Sequence, residues 1–159
     1  MKNAVIMQAR VNSSRLKGKD LKKLKGKTIL EHDIERIRQA KLVDEIIIAT
    51  TNNEADDAIV KLAKQCGVKV FRGSENDVLE RYYLAAKEYE VEHIIRITSD
   101  CPLIDPFIID NVIEKYEEMN PDIITNVPNE WEDMTYPRGL DLEMFSFASM
   151  ILLRCYSVY

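Results

Sequence analysis

Glycine, proline, cysteine and histidine are all scarce in this chain of 159 residues, which holds five, five, three and two of them. With so little glycine and proline it has no low-complexity segment and no interdomain linker. Cys66, Cys101 and Cys155 are odd in number and far apart, without a disulfide framework or metal-ligand spacing. His32 and His93 stand alone, and each reads as structural rather than as a ligand or base. No apolar run approaches the roughly 20 residues of a membrane span. Met1-Lys2-Asn3 leads straight into an apolar strand with no signal-peptide pattern. A cytoplasmic location without a membrane partner is therefore expected. Several site motifs are missing as well. There is no G-x-G-x-x-G and no G-x-S-x-G. Gly26-Lys27-Thr28 lacks the glycine that a P-loop needs five residues earlier, where Leu21 stands.

The composition that remains is 46% hydrophobic and 31% charged, which fits one globular domain. The net charge of −5 hides an asymmetry. Residues 10–27 carry eight basic side chains and one acid, Asp20, so this segment is +7 and the rest is −12. One basic patch on an acidic body suits a small anionic ligand rather than a nucleic acid track. No interleaving of arginine with aromatics points to RNA.

Strands alternate with helices along the chain. Ala4–Met7 and Glu45–Ala49 read as buried strands, Val68–Phe71 as a short one and His93–Ile97 as a fourth. Leu30, Ile34 and Ile37 have helical spacing. So do Ala55 to Cys66 (ended by Gly67), Val78 to Tyr89, and Ile109 to Tyr116 after Pro106. Asp122–Thr125 is a fifth strand, and Arg138–Phe145 alternates like a half-buried sixth. This order implies an α/β fold, a mostly parallel sheet covered on both faces. Ligands of such sheets bind beyond the carboxyl ends of the strands. Four polar segments fall there: Gln8–Arg15, Thr50–Asn53, Arg72–Asp77 and Thr98–Asp105.

The first segment places Arg10, Arg15 and Lys19 in one loop with Ser13 and Ser14 between them. Guanidinium forks grip phosphate oxygens in pairs and lysine adds a point charge, so this loop is a candidate polyphosphate seat. A solvated basic turn is the alternative. Asp100, just past the fourth strand, is a candidate Mg²⁺ ligand, whereas Asp105 before Pro106 reads as a helix cap. Thr50, Thr51, Asn52 and Asn53 suit a base or ribose, and equally a cap for the helix near Glu54. Arg72 and Ser74 are placed to touch ligand, while Asp77 suits a cap. Tyr82, Tyr83 and Tyr89 read as core.

Four blocks carry a resemblance: Q-A-R-x-x-S-S-R-L-x-G-K, A-T-T-N-x-x-x-D-D, F-R-G-S-E-x-D-V-L-x-R-Y-Y and R-I-T-x-D-C-P-L-I-D-P. Together they resemble the sugar-acid cytidylyltransferases, which include the CMP-sialic acid and CMP-KDO synthetases. Thr135–Glu143, T-Y-P-R-G-L-D-x-E in form, is similar to an element of the spore-coat polysaccharide branch. The resemblance covers residues 3–147. It implies a Rossmann-like three-layer sandwich and Mg²⁺-dependent transfer of CMP from CTP to a sugar or sugar acid for polysaccharide synthesis, with pyrophosphate leaving. It implies Arg15, Lys19 and Asp100 as catalytic residues, with Asp100 on the metal. Ala9, Arg10, Asn12, Ser13, Ser14, Thr50, Thr51, Asn52, Arg72 and Gly73 would bind the nucleotide. Tyr136, Arg138, Asp141 and Glu143 would face the acceptor.

Asn12 and Lys17 depart from the family's usual glycine and proline. Residues 148–159 are expected to be an apolar tail outside the family pattern, leaving a C-terminally truncated fold that packs on itself or forms a homo-oligomer, a dimer. A nucleotide-binding module without turnover, and a structural subunit docking an acidic partner, are the competing expectations.

Overall fold

The computed structural model describes residues 2–12, 16–128 and 130–156. The elements are β1 (Asn3–Gln8), a hairpin of β2 (Lys23–Leu24) and β3 (Lys27–Thr28), α1 (Ile29–Ile37), β4 (Glu45–Thr51), α2 (Asp57–Gln65), β5 (Lys69–Gly73), α3 (Val78–Glu88), β6 (His93–Thr98), α4 (Pro106–Met119), β7 (Ile123–Thr125), β8 (Glu143–Ser146) and α5 (Phe147–Tyr156). Six strands form one sheet in the order β5-β4-β1-β6-β8-β7. β5, β4, β1 and β6 are parallel, whereas β8 runs antiparallel between β6 and β7.

Alternation along the strands builds two cores. Val5, Met7, Ile46, Ile48, Ile95 and Ile97 face α1, α2 and α4. Ala4, Ile6, Ile47, Ala49 and Ile94 face α3 and α5. Both faces are buried, which is why these strands read as unbroken apolar runs instead of alternating ones.

The caps are set by local chemistry. Thr28 and Glu31 form a reciprocal capping box at α1, with Glu31 accepting from the Thr28 amide at 2.6 Å. Asp77 accepts from the Glu80 amide at 2.7 Å and Asp105 from the Phe107 amide at 2.8 Å.

The structure departs from the sequence reading in three places. The basic run folds back as the β2–β3 hairpin, whose turn puts Lys25 at φ 48° and Gly26 at φ 90°. The strand read over Arg138–Phe145 pairs only from Glu143 on, because an irregular stretch precedes it. The segment expected to be a tail is largely α5. Its Phe147 ring stacks on Tyr83 at 5.4 Å, and Arg154 sits 4.6 Å over the same ring while pairing with Glu80 at 3.0 Å.

Candidate functional site

Parallel register brings the carboxyl ends of β1, β4, β5 and β6 to one edge. Gln8 pairs with Ala49 on one side and with Thr98 on the other, and Thr51 pairs with Gly73. The four polar segments therefore share the edge where such sheets bind ligands.

Asp56 ties two of these ends together. It lies 2% exposed in the turn Glu54–Asp56 before α2. One carboxylate oxygen accepts from the Val11 amide at 2.7 Å, in the loop after β1. The other accepts from the amide and the hydroxyl of Thr51, at the end of β4. The Thr51 hydroxyl in turn accepts from the Asn53 amide at 3.1 Å. The first loop is closed further on by the Gly18 amide, which donates to the Val11 carbonyl at 2.8 Å.

On the other flank Lys19 donates to Asp100 at 2.7 Å, across 81 positions of sequence. Next to Lys19, buried Asp20 accepts from the Ser99 hydroxyl at 3.0 Å, joining the first loop to the end of β6. Burial pushes the Asp20 carboxyl up to about 6, against the pull of Ser99, Lys19 and the Arg10 main chain. Asp33, fully buried on α1, has no well-formed hydrogen bond to either oxygen. Burial first, then the nearby charges of Asp20 and Asp100, push it up to about 8; Lys19 and the Cys101 main chain hold it back only in part. Three carboxyl groups thus crowd one ammonium beneath this edge, and two of them are biased toward their neutral form.

The other nucleotide-side residues are held to differing degrees. Arg10 is exposed and lies 3.8 Å from Glu75. Arg72 is occupied by the protein: it donates to the Thr51 and Asn53 carbonyls at 2.9 and 2.8 Å and pairs with Asp57 at 2.6 Å. The Asn52 amide donates to the Gly73 carbonyl at 3.1 Å. Thr50 is fully buried and its hydroxyl has no partner among the described residues. The Ala9 amide donates to Ala49, and the Asn12 side chain is exposed. Asn53 caps the turn at Glu54. Ser13, Ser14 and Arg15 lie outside the described residues.

A cavity of ≈ 230 Å³ opens beside the end of β6, lined by Arg96, Thr98, Val127, Asp141, Leu142 and Glu143. Arg96 and Glu143, cross-strand neighbours, pair at 2.9 Å. Two acceptor-side candidates, Asp141 and Glu143, are therefore in this wall. Tyr136 and Arg138 sit in the preceding irregular stretch and do not line it. The thiols of Cys66 and Cys101 are pushed up by burial and are unreactive in character. His32 bonds the Leu24 carbonyl and His93 the Asn3 side chain, so both serve the fold.

The profile of one family, described as cytidylyltransferase, matches residues 4–149. The chain belongs to the cytidylyltransferase family. It is 43% identical over 150 residues to the uncharacterized protein MJ1063 of Methanocaldococcus jannaschii, covering 94% of this chain and 59% of that one. It is 36% identical to the spore coat polysaccharide biosynthesis protein SpsF of Bacillus subtilis, over 77% of this chain and 54% of that one. A solved cytidylyltransferase from Leptospira borgpetersenii superposes with TM-score 0.88 at 36% identity, covering 98% of this chain and 64% of that one. A CMP-KDO synthetase solved with CTP shares the fold, with TM-score 0.76 at 20% identity over 98% of this chain and 78% of that one. This chain thus spans 59% and 54% of the two curated relatives named here.

No role is read from the sequence for Asp20, Asp33, Asp56 or Arg81. Asp56 and Arg81 are fixed letters of two of the resemblance blocks, and Asp33 and Arg81 carry a further signal. Asp33 interrupts the stripe Leu30, Ile34, Ile37, and Arg81 interrupts the stripe Val78, Tyr82, Ala85. A charged residue on an apolar stripe is a buried-charge candidate.

Replacing Asp56 with alanine leaves the Val11 amide and both Thr51 donors without their acceptor. Asp56→Ala should lose about 3 kcal/mol in urea unfolding; a loss below about 1 kcal/mol contradicts the tie. Asp33 predicts a pH dependence. An unfolded aspartate titrates near 3.8, whereas folded Asp33 holds its proton to about 8. Its stability contribution is therefore full below about pH 4 and is lost as pH rises through 8. Between about pH 7 and 8, where Asp20, titrating near 6, is mostly ionised and Asp33 still holds most of its proton, wild type should lose on the order of 1 kcal/mol per pH unit, and the slope should vanish above that window. Asp33→Asn should flatten that slope, and an unchanged slope contradicts the assignment.

Proposed function

We propose that this chain carries the nucleotide-binding half of a cytidylyltransferase that moves CMP from CTP to a hydroxyl of a sugar or sugar acid, releasing pyrophosphate. The observation that carries the reading is Lys19 on Asp100 at 2.7 Å, at the ligand edge of a family-typical sheet. Phosphoryl-type transfer asks little covalent work of the protein and much positioning and charge stabilisation. In this reading Arg10, Arg15 and Lys19 take the phosphate oxygens, and Ser13, Ser14, Asn12 and Ala9 line the loop around them. Thr50, Thr51, Asn52 and Gly73 line the base and ribose side. Because the Arg72 guanidinium is already engaged, it acts there by shaping the β4–β5 edge. The acceptor enters over the cavity walled by Asp141 and Glu143, with Tyr136 and Arg138 on the segment leading to it.

A divalent cation such as Mg²⁺ fits the donor set at Asp100. Among the described residues no group of three His, Cys, Asp or Glu forms a cage for a metal. Magnesium is suited to such a site, since it takes one or two carboxylates and completes its shell with phosphates and water. Bound there, it would offset charge on the phosphates. Lys19, which donates to Asp100 here, would be the cation able to reach a phosphate oxygen instead.

The reading extends to cell-surface or spore-coat polysaccharide synthesis as the use of the product, in the cytoplasm. No helix among the described residues is long and apolar enough to cross a membrane. It also includes self-association through the face of β7 and α5, where Ile123, Ile151, Leu152 and Leu153 are exposed.

Asp100→Asn keeps shape and removes charge. Pyrophosphate release with CTP and an acceptor sugar should fall on the order of 10²–10³-fold, with the melting temperature unchanged. Lys19→Ala should weaken CTP binding. A variant that simply unfolds, or full activity in both, contradicts the assignment. CTP binding without pyrophosphate release in wild type supports the module without turnover instead.

A further inference from the structure

Arg81 is the largest of the fully buried side chains, 2% exposed on α3. Its Nη1 donates to the Ser74 carbonyl, and its Nε has no partner among the described residues. No carboxylate among the described residues forms an ion pair with it. Glu75, which is close by, pairs with Arg10. Asp56 is engaged by the Val11 and Thr51 donors. Buried charges are ordinarily paired, because taking an ion out of water without a counterion is costly. A cation left in this state under a ligand edge calls for a counterion that is not part of the protein.

We propose that Arg81 is a positioning residue of the nucleotide site, fastening the loop 73–77 from beneath while its charge is balanced by the phosphates of a bound nucleoside triphosphate. This rests on the cytidylyltransferase reading.

The geometry supports the fastening of the loop, and the unpartnered Nε supports the open charge. The Ser74 bond fixes the segment immediately after Gly73. Gly73 itself lies so close that a Cβ there would meet Phe71 at 2.9 Å and Arg81 at 3.3 Å, so α3 and this loop pack as one piece. Burial lowers the Arg81 pKa; neighbouring Tyr82 raises it in part, the Arg10 charge lowers it further, and Asp56 and Glu75 act against Arg10. Arg10 and Arg81 thus sense each other as like charges across the ligand edge, and one anion relieves both. Stability is given up in the empty protein so that positive potential is waiting where phosphates arrive.

The test compares Arg81→Met and Arg81→Lys with wild type in the full chain. Melting temperature is measured without nucleotide, and CTP and CMP affinities by calorimetry. Methionine fills similar volume without charge, so Arg81→Met should melt at or above the wild-type temperature and bind CTP about tenfold more weakly. The loss should be smaller for CMP, which carries less charge, and Arg81→Lys should recover part of the CTP affinity. A lower melting temperature in Arg81→Met overturns the proposal, because packing then explains the residue. Unchanged CTP affinity, or an equal loss for CTP and CMP, overturns it as well. Wild type that binds no CTP contradicts the cytidylyltransferase reading and this inference together, whereas wild-type binding matched by Arg81→Met removes the role of Arg81 alone.

Discussion

The carboxylate of Asp56 is the constraint on which the ligand edge depends. Strand pairing fixes β1 against β4 only as far as Gln8 and Ala49. Beyond that the backbone needs other partners, since buried amides without acceptors are expensive. Asp56 meets this need on both chains at once, through Val11 and Thr51. Asp20 does the same work between the first loop and Ser99. The cationic loop after β1 is therefore gripped from two sides by buried acids, while its own cations, Arg10 and Lys19, reach acids that a ligand can replace, Glu75 and Asp100.

This division of labour gives the site its electrostatic character. The acids that hold structure are buried and accept hydrogen bonds. The cations that would bind phosphate are more exposed and pair weakly. Ion pairs of that kind are worth well under 1 kcal/mol in water, so exchanging Glu75 or Asp100 for a phosphate oxygen costs little. Asp33 and Arg81 lie beneath as buried ionisable groups without an ion-pair partner among the described residues, Asp33 pushed toward its neutral acid and Arg81 bonded to the Ser74 carbonyl. Each lowers the stability of the empty protein, and each sits under the strand ends where phosphates would gather. Such conflicts between local stability and consistency concentrate at functional sites.

Much of the fold was legible because it follows from periodicity. The strands at Ala4, Ile46 and Ile94 are apolar on both faces, and the caps at Asp77 and Asp105 are local chemistry that a sequence displays. The partner of a strand is not displayed. Nothing in Glu143–Ser146 says that it inserts antiparallel between β6 and β7. The β2–β3 hairpin is only two residues per strand and is buried in lysines, so neither period can show. Residues 148–159 read as a tail because they do not resemble the family's continuation, and Ile151, Leu152 and Leu153, apolar and consecutive, show no amphipathic rhythm that would mark α5. In the site, charged residues at strand ends were legible as such: Arg10, Lys19 and Asp100. Among the buried supports, Asp33 and Arg81 stand out on apolar stripes, whereas Asp56 in an Asp-Asp pair looks like any solvated acid until its hydrogen bonds are known.

The central claim is that this edge binds CTP in particular. One calorimetric titration of the full chain against CTP, UTP, ATP and GTP with Mg²⁺ tests it most directly. The account predicts saturable binding of CTP, weaker binding of UTP, and little heat from the two purine nucleotides, because the proposed reading seats the base at the ends of β4 and β5 as a pyrimidine. Equal binding of all four would reduce the edge to a general polyphosphate seat. No binding of any would contradict the account outright.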